Sequence, residues 1–163
     1  FAGTPIICDA LEATGHNQEA YLLVEQDALP SWLYTVNMGA TTTWERWDSM
    51  LPDGTINPGD MTSFNHYALG AVANWMHTTV GGLRPLDPGY RTIEVAPKPG
   101  GSLRWARTAH ITPYGLANVQ WVLKDGVLTV SGLVPVGSTA ILRLPGQEDE
   151  RVGHGEFRRE VQM

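Results

Sequence analysis

The chain has 163 residues, of which 42% are apolar and 17% are charged, and its formal net charge at pH 7 is −6. This length suffices for one ordinary domain or two small units, and the apolar fraction is too high for a disordered chain. The negative charge argues against nucleic acid as the main partner, and no apolar run is long enough to predict a membrane span. The single cysteine, Cys8, excludes an internal disulfide and a multi-cysteine metal site.

The chain begins with Phe1, and no basic segment leading into an apolar stretch follows it. We therefore expect no signal peptide in these residues, and we interpret the chain as a processed or cut piece of a longer protein. The compartment stays open, because secreted and cytoplasmic locations both fit. The five histidines show no paired ligand spacing, so we expect no histidine-based metal site, whereas calcium at carboxylates stays open.

The first half of the chain has the sequence features of helices. The dipeptide Thr4-Pro5 is a typical helix start, and Gly15 suits the position after a helix end. Asn17 can cap a second helix, which the Leu29-Pro30 step ends because a residue before proline avoids the α conformation. Residues 31–60 show no long helical period and contain several Gly and Pro residues, so we interpret them as a long ordered loop.

A third helix is predicted over residues 64–80. Its apolar residues recur at spacings of three and four, the pattern of one helix face: Phe64, Tyr67, Ala68, Ala71, Val72, Trp75, Met76 and Val80. Thr62 or Ser63 can cap its start, and Gly81-Gly82 stops it. We interpret this apolar stripe as core packing.

After the third helix the pattern changes to short strands separated by turns. Strand patterns occur over five segments: residues 103–111, 119–123, 127–130, 139–144 and 157–161. The dipeptide Asp125-Gly126 lies between two of them and is the strongest short signal of a hairpin. These features predict a small antiparallel β-sandwich with a structural or interaction role.

Charge divides the chain at about the same place. Residues 1–80 hold nine acidic side chains and one basic side chain, whereas residues 81–163 hold eight acidic and ten basic ones, so their net charges are −8 and +2. A shift of this size indicates a domain boundary. We therefore predict two domains, residues 1–82 and 83–163.

The stretch that suggests chemistry is Gly39–Asp48, which reads GATTTWERWD. It places a carboxylate, Glu45, between Trp44 and Trp47. Indole faces suit the C–H faces of sugar rings, and a carboxylate between them can act as a general base or acid. The residue types alone leave a second interpretation open, in which Glu45 and Arg46 form a surface ion pair and the tryptophans belong to the core.

Two segments together resemble bacterial and fungal α-L-rhamnosidases of glycoside hydrolase family 78. They are Gly39–Asp48 and Met61–Ala71, the second of which reads MTSFNHYALGA, and their order and separation match the family. Similarity also extends through three further stretches: Gly3–Pro5, Pro30–Trp32 and Val134–Pro145. The resemblance therefore covers nearly the whole chain.

The resemblance implies a fold and an activity. Residues 1–82 would be terminal helices of an (α/α)₆ barrel, and residues 83–163 an antiparallel β-sandwich that follows it. The implied enzyme is an inverting glycoside hydrolase that releases terminal α-L-rhamnose from glycosides or polysaccharides and needs no cofactor. The carboxylate-rich first half would belong to the sugar-cleaving side of the barrel.

The resemblance also implies roles for individual residues. Glu45 matches the family's general base, the carboxylate that activates water. Trp44 and Trp47 match aromatic residues around the bound rhamnose, and His66 matches a histidine that contacts the sugar. For Asp48 two roles remain open, since it either orients Arg46 or touches the substrate.

The chain would hold only part of such a site. An inverting glycosidase uses two carboxyl groups about 6.5–9.5 Å apart, and the family's general acid lies upstream of the segment present here. The predicted partners are therefore a rhamnose-containing glycoside and either the rest of the parent chain or a second copy that covers the open barrel face. We expect no rhamnosidase activity from the chain alone, and no nucleic-acid or membrane partner.

Two other functions stay open at this point. The first is a non-catalytic carbohydrate-binding or interaction protein whose aromatic side chains hold a sugar. The second is an (α/α)₆ glycosidase with another sugar specificity, because rhamnose specificity rests largely on residues outside this segment. The sequence that precedes Phe1 in the parent gene would separate an enzyme from a binding protein.

Overall fold

A computed structural model describes residues 3–163 of the chain. The chain divides into two compact units, Phe1–Trp75 and Met76–Met163. The described part of the first unit is built of short helices and loops, and the second consists mainly of strands. No helix within residues 3–163 combines the length and hydropathy that a membrane crossing requires.

The helices of the first unit are short. After a 3-10 turn over Thr4–Ile6, the described residues form four α-helices: α1 Ile7–Ala13, α2 Asn17–Glu25, α3 Trp32–Asn37 and α4 Val72–Trp75. The predicted first and second helices are confirmed, with shifts at their ends. Gly3 rather than Thr4 holds the first cap position, and His16 rather than Asn17 precedes α2, which ends at Glu25, ahead of the predicted Leu29-Pro30 stop.

The prediction of a continuous loop over residues 31–60 is wrong at its start, where α3 forms. The side chain of Ser31 caps this helix, because its hydroxyl oxygen accepts a hydrogen bond from the backbone N–H of Tyr34 at 2.9 Å. The helix has six residues, which is too short to show a helical period in the sequence. The rest of the stretch is irregular apart from one bridge between Met50 and Ile56.

The predicted third helix begins later than Phe64. Regular structure starts with a 3-10 turn over Ala68–Ala71, continues through α4 and ends in a π-helical turn over Met76–Val80. Tyr67 lies before it and is 83% exposed, so the apolar spacing at its beginning does not mark a buried helix face. The caps predicted at residues 62–63 therefore do not start this helix.

The predicted stop of this helix is confirmed. The π-helical turn closes with a hydrogen bond from the N–H of Gly81 to the carbonyl of Met76 at 2.8 Å. Gly82 has a φ of 74°, and a Cβ there would lie 2.3 Å from the nitrogen of Pro97. The chain turns here into the first strand, and both the backbone angle and the close approach at this turn require glycine.

The second unit contains two four-stranded sheets, ordered β1-β2-β6-β7 and β3-β4-β5-β8. The strands are β1 Leu83–Pro85, β2 Thr92–Val95, β3 Trp105–Thr112, β4 Gly115–Lys124, β5 Val127–Val134, β6 Thr139–Leu142, β7 Glu150–Val152 and β8 Gly155–Gln162. The five predicted strands are confirmed as β3, β4, β5, β6 and β8. The three others have three or four residues each, too few to give a recognisable alternation.

The predicted hairpin is confirmed, and the sheets are antiparallel except at one pair of strands. Asp125 and Gly126 both adopt positive φ angles, 51° and 78°, and join β4 to β5 through the pair Lys124 and Val127. The predicted antiparallel pairing is confirmed for the other five strand pairs, whereas β2 and β6 pair in parallel. A parallel pair needs a crossover, and here the crossover carries three strands of the other sheet.

One face of the β3-β4-β5-β8 sheet is buried. On β4 this face carries Ala117, Val119 and Trp121, and the indole N–H of Trp121 donates to the carbonyl of Val80 at 2.7 Å. The large apolar residues of β3, Trp105 and Ile111, lie on the opposite parity and are 67% and 82% exposed. The alternation in residues 103–111 therefore marks a strand, but its large apolar side chains face solvent.

Candidate active site

The two motif segments lie against each other in the first unit. The backbone N–H of Glu45 donates to the carbonyl of Ser63 at 2.8 Å, and the N–H of His66 donates to the carbonyl of Thr43 at 2.8 Å. These bonds run between two irregular segments and fix their relative register. They also explain why residues 63–66 are not helical, since their backbone groups are used in this pairing.

Side chains add to the pairing of the two segments. The hydroxyl of Thr42 donates to the carbonyl of Phe64. Trp44 packs edge-to-face on the ring of Phe64, with the ring centroids 5.2 Å apart. Trp44 is 3% exposed, so it belongs to the core of this unit. This agrees with the alternative interpretation of the motif, in which the tryptophans are core residues.

Glu45 is half-buried and lies on a cavity of about 400 Å³. One of its carboxylate oxygens, Oε2, accepts a hydrogen bond from the backbone N–H of Ser63 at 3.2 Å. The cavity is lined by Thr4, Glu45, Arg46, Trp47, Asp48, Asp60, Met61 and Leu69. A carboxylate that is oriented by a backbone amide and faces an open cavity is suited to proton transfer with a bound water.

Trp47 is the tryptophan of the motif that lines this cavity. Its ring packs edge-to-face on Trp32, with centroids 4.9 Å apart, and the indole N–H of Trp32 donates to the carbonyl of Leu69 at 2.8 Å. Trp32 thus links α3, the cavity wall and the start of the helical segment over residues 68–80. This arrangement holds the Trp47 ring at the cavity, where it offers an apolar surface to a ligand.

His66 is half-buried and precedes the helical segment over residues 68–80 by two residues. Its Nδ1 accepts a hydrogen bond from the backbone N–H of Ala68 at 3.2 Å, and its ring stacks on Tyr67 with a centroid distance of 5.2 Å. Because Nδ1 is an acceptor, the proton of the neutral ring lies on Nε2, which can donate. His66 does not line the cavity that contains Glu45.

Arg46 forms an ion pair with Asp48 and not with Glu45, the partner named in the alternative interpretation. The guanidinium makes two bonds to the carboxylate, Nε to Oδ1 at 2.6 Å and Nη2 to Oδ2 at 3.1 Å. These hydrogen bonds lower the pKa of Asp48 below its usual value, and the pKa of Arg46 is raised by the same contact. Of the two roles predicted for Asp48, the structure shows the orientation of Arg46.

The Asp48 pair gives a testable pH dependence of stability. Because the folded-state pKa of Asp48 is lowered, its contribution to folding is present at neutral pH and is lost as the pH falls below about 4. We expect the difference in free energy of unfolding between pH 7 and pH 3 to be smaller in Asp48→Asn than in the unaltered chain. Urea unfolding at both pH values measures it, and equal differences would contradict the assignment.

Three residues that line the cavity were not predicted as site residues from the sequence. Met61 and Leu69 lie inside the second motif but have no side-chain group that indicates catalysis, and Asp60 precedes the motif. Met61 adopts a φ of 60°, which is unusual for a residue other than glycine, and its side chain is 53% exposed at the cavity. A strained, exposed methionine beside a carboxylate is visible in the structure alone.

Residues 3–163 contain no cluster of candidate metal ligands, and the thiol of Cys8 is buried. Within residues 3–163, no group of three or more His, Cys, Asp or Glu side chains is arranged to hold a metal ion. Cys8 is buried in α1, and burial raises the pKa of its thiol to about 11. The thiol is therefore protonated at neutral pH and is a poor nucleophile.

Family comparisons assign both halves of the chain. Residues 1–80 match the model of the bacterial alpha-L-rhamnosidase 6 hairpin glycosidase domain, and residues 82–159 match that of the bacterial alpha-L-rhamnosidase C-terminal domain. An alpha-L-rhamnosidase of Streptomyces avermitilis is 40% identical over 154 residues, which are 94% of this chain and 15% of that protein. One of Formosa agariphila is 39% identical over 150 residues, which are 92% of this chain and 16% of that protein.

Solved structures of alpha-L-rhamnosidases are also similar to this chain. The native enzyme of Aspergillus terreus superposes with a TM-score of 0.94 at 47% identity, over 98% of this chain and 19% of that one. The Streptomyces avermitilis enzyme complexed with L-rhamnose gives 0.91 at 35% identity, over 98% and 17%. The chain thus spans about a sixth of the length of these relatives. It belongs to the alpha-L-rhamnosidase family and corresponds to the C-terminal part of its members.

Proposed function

We propose that this chain is the part of an inverting α-L-rhamnosidase that carries the general base, Glu45. The observation that carries the proposal is the half-buried Glu45 carboxylate, which faces a cavity and is oriented by the Ser63 amide. Family membership supports the substrate, since a relative of 35% identity is described in complex with L-rhamnose. The substrate would be a glycoside with a terminal α-L-rhamnose.

In this mechanism Glu45 removes a proton from a water molecule that attacks the anomeric carbon. Attack comes from the face opposite the leaving group, so the configuration inverts, and a second carboxyl group about 6.5–9.5 Å away protonates the leaving oxygen. Asp48 is unsuited to that second role, because its oxygens are engaged by Arg46 and Asn57. The general acid then belongs to the part of the parent protein outside this chain.

The aromatic and imidazole groups would hold the sugar. Trp47 presents its ring at the cavity and suits the C–H face of a pyranose. His66 has Nε2 available as a donor to a sugar hydroxyl, because its Nδ1 is occupied by the Ala68 amide. Trp44, which is buried against Phe64, would act by supporting the segment that carries Glu45.

We also propose the domain assignment that goes with this function. Residues 1–82 would be a segment of an (α/α)₆ barrel, and residues 83–163 the β-sandwich that follows it. The first unit carries several large apolar residues that are each more than half exposed: Ile6, Leu22, Val36 and Tyr67. Barrel helices of the parent chain, or a second copy of the chain, would cover them.

The activity of the chain itself tests the division of the site. We expect the purified 163-residue chain to release no rhamnose from an aryl α-L-rhamnoside, because it lacks the general acid. The full-length parent should hydrolyse the same substrate and release β-L-rhamnose first, which proton NMR detects before mutarotation. Release of rhamnose by the short chain, or α-L-rhamnose as the first product of the parent, would refute the proposal.

A further inference from the structure

A network of hydrogen bonds joins two walls of the cavity beside Glu45. Arg46 and Asp48 form the two-bonded pair, and the side-chain amide of Asn57 donates to Asp48 Oδ2 at 2.9 Å. Arg46 Nη1 also donates to the backbone carbonyl of Asp60 at 3.2 Å. Because both oxygens of Asp48 are engaged within the protein, this carboxylate is suited to fixing the local conformation of the chain rather than to binding a sugar hydroxyl.

The network holds the loop over residues 57–60 close to Arg46. The backbone N–H of Asn57 donates to the carbonyl of Ser49 at 3.0 Å, and Asn57 Oδ1 accepts the N–H of Gly59 at 2.9 Å. A Cβ on Gly59 would lie 3.3 Å from Arg46 Nη1 and 3.1 Å from Asn57 Oδ1. The backbone therefore packs against the guanidinium with little room to shift.

This loop leads directly to the group that orients Glu45. Ser63 follows Asp60 by three residues and bonds Glu45 twice, since its carbonyl accepts the Glu45 N–H and its own N–H donates to Oε2. Met61, between them, has the left-handed φ of 60° and lines the same cavity. A shift of the loop at Asp60 would thus be carried to the Ser63 amide and to the carboxylate.

We propose that the Arg46–Asp48–Asn57 network positions Glu45 for catalysis, acting through the loop and the Ser63 amide. Asp48 and Asn57 are then positioning residues that do not touch the substrate. This inference rests on the proposed role of Glu45 as the general base. A misplacement of about 1 Å in a reacting group can cost roughly 10²-fold in rate, so a loosened network should lower kcat markedly.

The test uses the full-length parent protein, an aryl α-L-rhamnoside and two network variants, Asp48→Asn and Asn57→Ala. We expect Asp48→Asn to lower kcat by roughly 10- to 100-fold with little change in KM, and Asn57→Ala to act in the same direction with a smaller effect. The matched control is Asp53→Asn, an acid-to-amide change in the turn that precedes this loop. Asp53 bonds Thr55 in a local turn, at 2.9 Å and 2.7 Å, so kcat should not change.

A double variant separates positioning from a general structural effect. In a Glu45→Gln background no base remains to be positioned, so adding Asp48→Asn should cause no further loss of kcat. An additive loss, a rise in KM at unchanged kcat, or an equal loss in Asp53→Asn would overturn the inference. If Asp48→Asn fails to fold, as judged by its melting temperature, the milder Asn57→Ala in both backgrounds gives the same comparison.

The outcomes for the network and for the general base can be told apart. If Glu45→Gln alone keeps full turnover, the general-base assignment fails and the positioning inference fails with it. If Glu45→Gln abolishes turnover while Asp48→Asn and Asn57→Ala do not lower kcat, the positioning inference alone fails.

Discussion

Replacing Glu45 with Gln in the full-length parent protein is expected to lower kcat by roughly 10²- to 10⁴-fold, the usual contribution of a general base, which is the role proposed for Glu45. The amide has nearly the shape of the carboxylate, and its oxygen can still accept the hydrogen bond that the Ser63 N–H gives to Oε2. It cannot take a proton from the attacking water. KM and the melting temperature should therefore stay close to those of the unaltered protein.

Two further variants make this result specific. Glu45→Asp keeps a carboxylate but withdraws it from the cavity, so its kcat should fall between those of the unaltered enzyme and Glu45→Gln. Glu19→Gln makes the same chemical change on α2, where the side chain is 56% exposed beside His16, and should leave kcat unchanged. Near-normal turnover in Glu45→Gln would remove Glu45 from the mechanism.

The sequence indicated the candidate site better than it indicated the surroundings of the site. A carboxylate between tryptophans is visible in Gly39–Asp48, and the cavity contains Glu45 and Trp47. The partner of Arg46 could not be decided, because Glu45 and Asp48 are both close to it along the chain. Asn57 is an ordinary loop residue nine positions from Asp48, and no local pattern connects the two.

The fold shows the same dependence on long-range contacts. The hairpin at Asp125-Gly126 was predictable, since two consecutive residues with positive φ favour this dipeptide locally. The beginning of the predicted third helix was not, because Phe64 satisfies the helical spacing while backbone groups of Phe64 and His66 bond residues 42–43. Pairing between distant segments overrides a periodicity that consists of a few residues.

The sequence also did not indicate which face of each strand is buried. Both Trp105 and Trp121 occur in predicted strands, and alternation alone does not say which parity of a strand faces the core. The structure buries Trp121 and exposes 67% of Trp105 on the neighbouring strand, where Ala106 is the Cα partner of Trp121. The two tryptophans therefore allow a direct test of which sheet face forms the core of the second unit.

Trp121→Ala is expected to lower the free energy of unfolding of the chain by about 3–5 kcal/mol, the range for a buried Trp replaced by Ala. The side chain is 1% exposed, so its removal leaves a cavity, and the carbonyl of Val80 loses the indole donor at 2.7 Å. Trp121→Phe should cost less, because it keeps an aromatic ring and loses mainly the hydrogen bond. Urea unfolding followed by far-ultraviolet circular dichroism measures these differences.

Trp105→Ala is the matched control for this change. It removes the same side chain from the adjacent strand, but from the exposed face, where substitutions usually alter stability by about 0.5 kcal/mol or less. A similar loss in Trp105→Ala and Trp121→Ala would contradict the assignment of the inner face. A large loss confined to Trp121→Ala would instead support the assignment of the face of β4 that carries Trp121 to the core of the second unit.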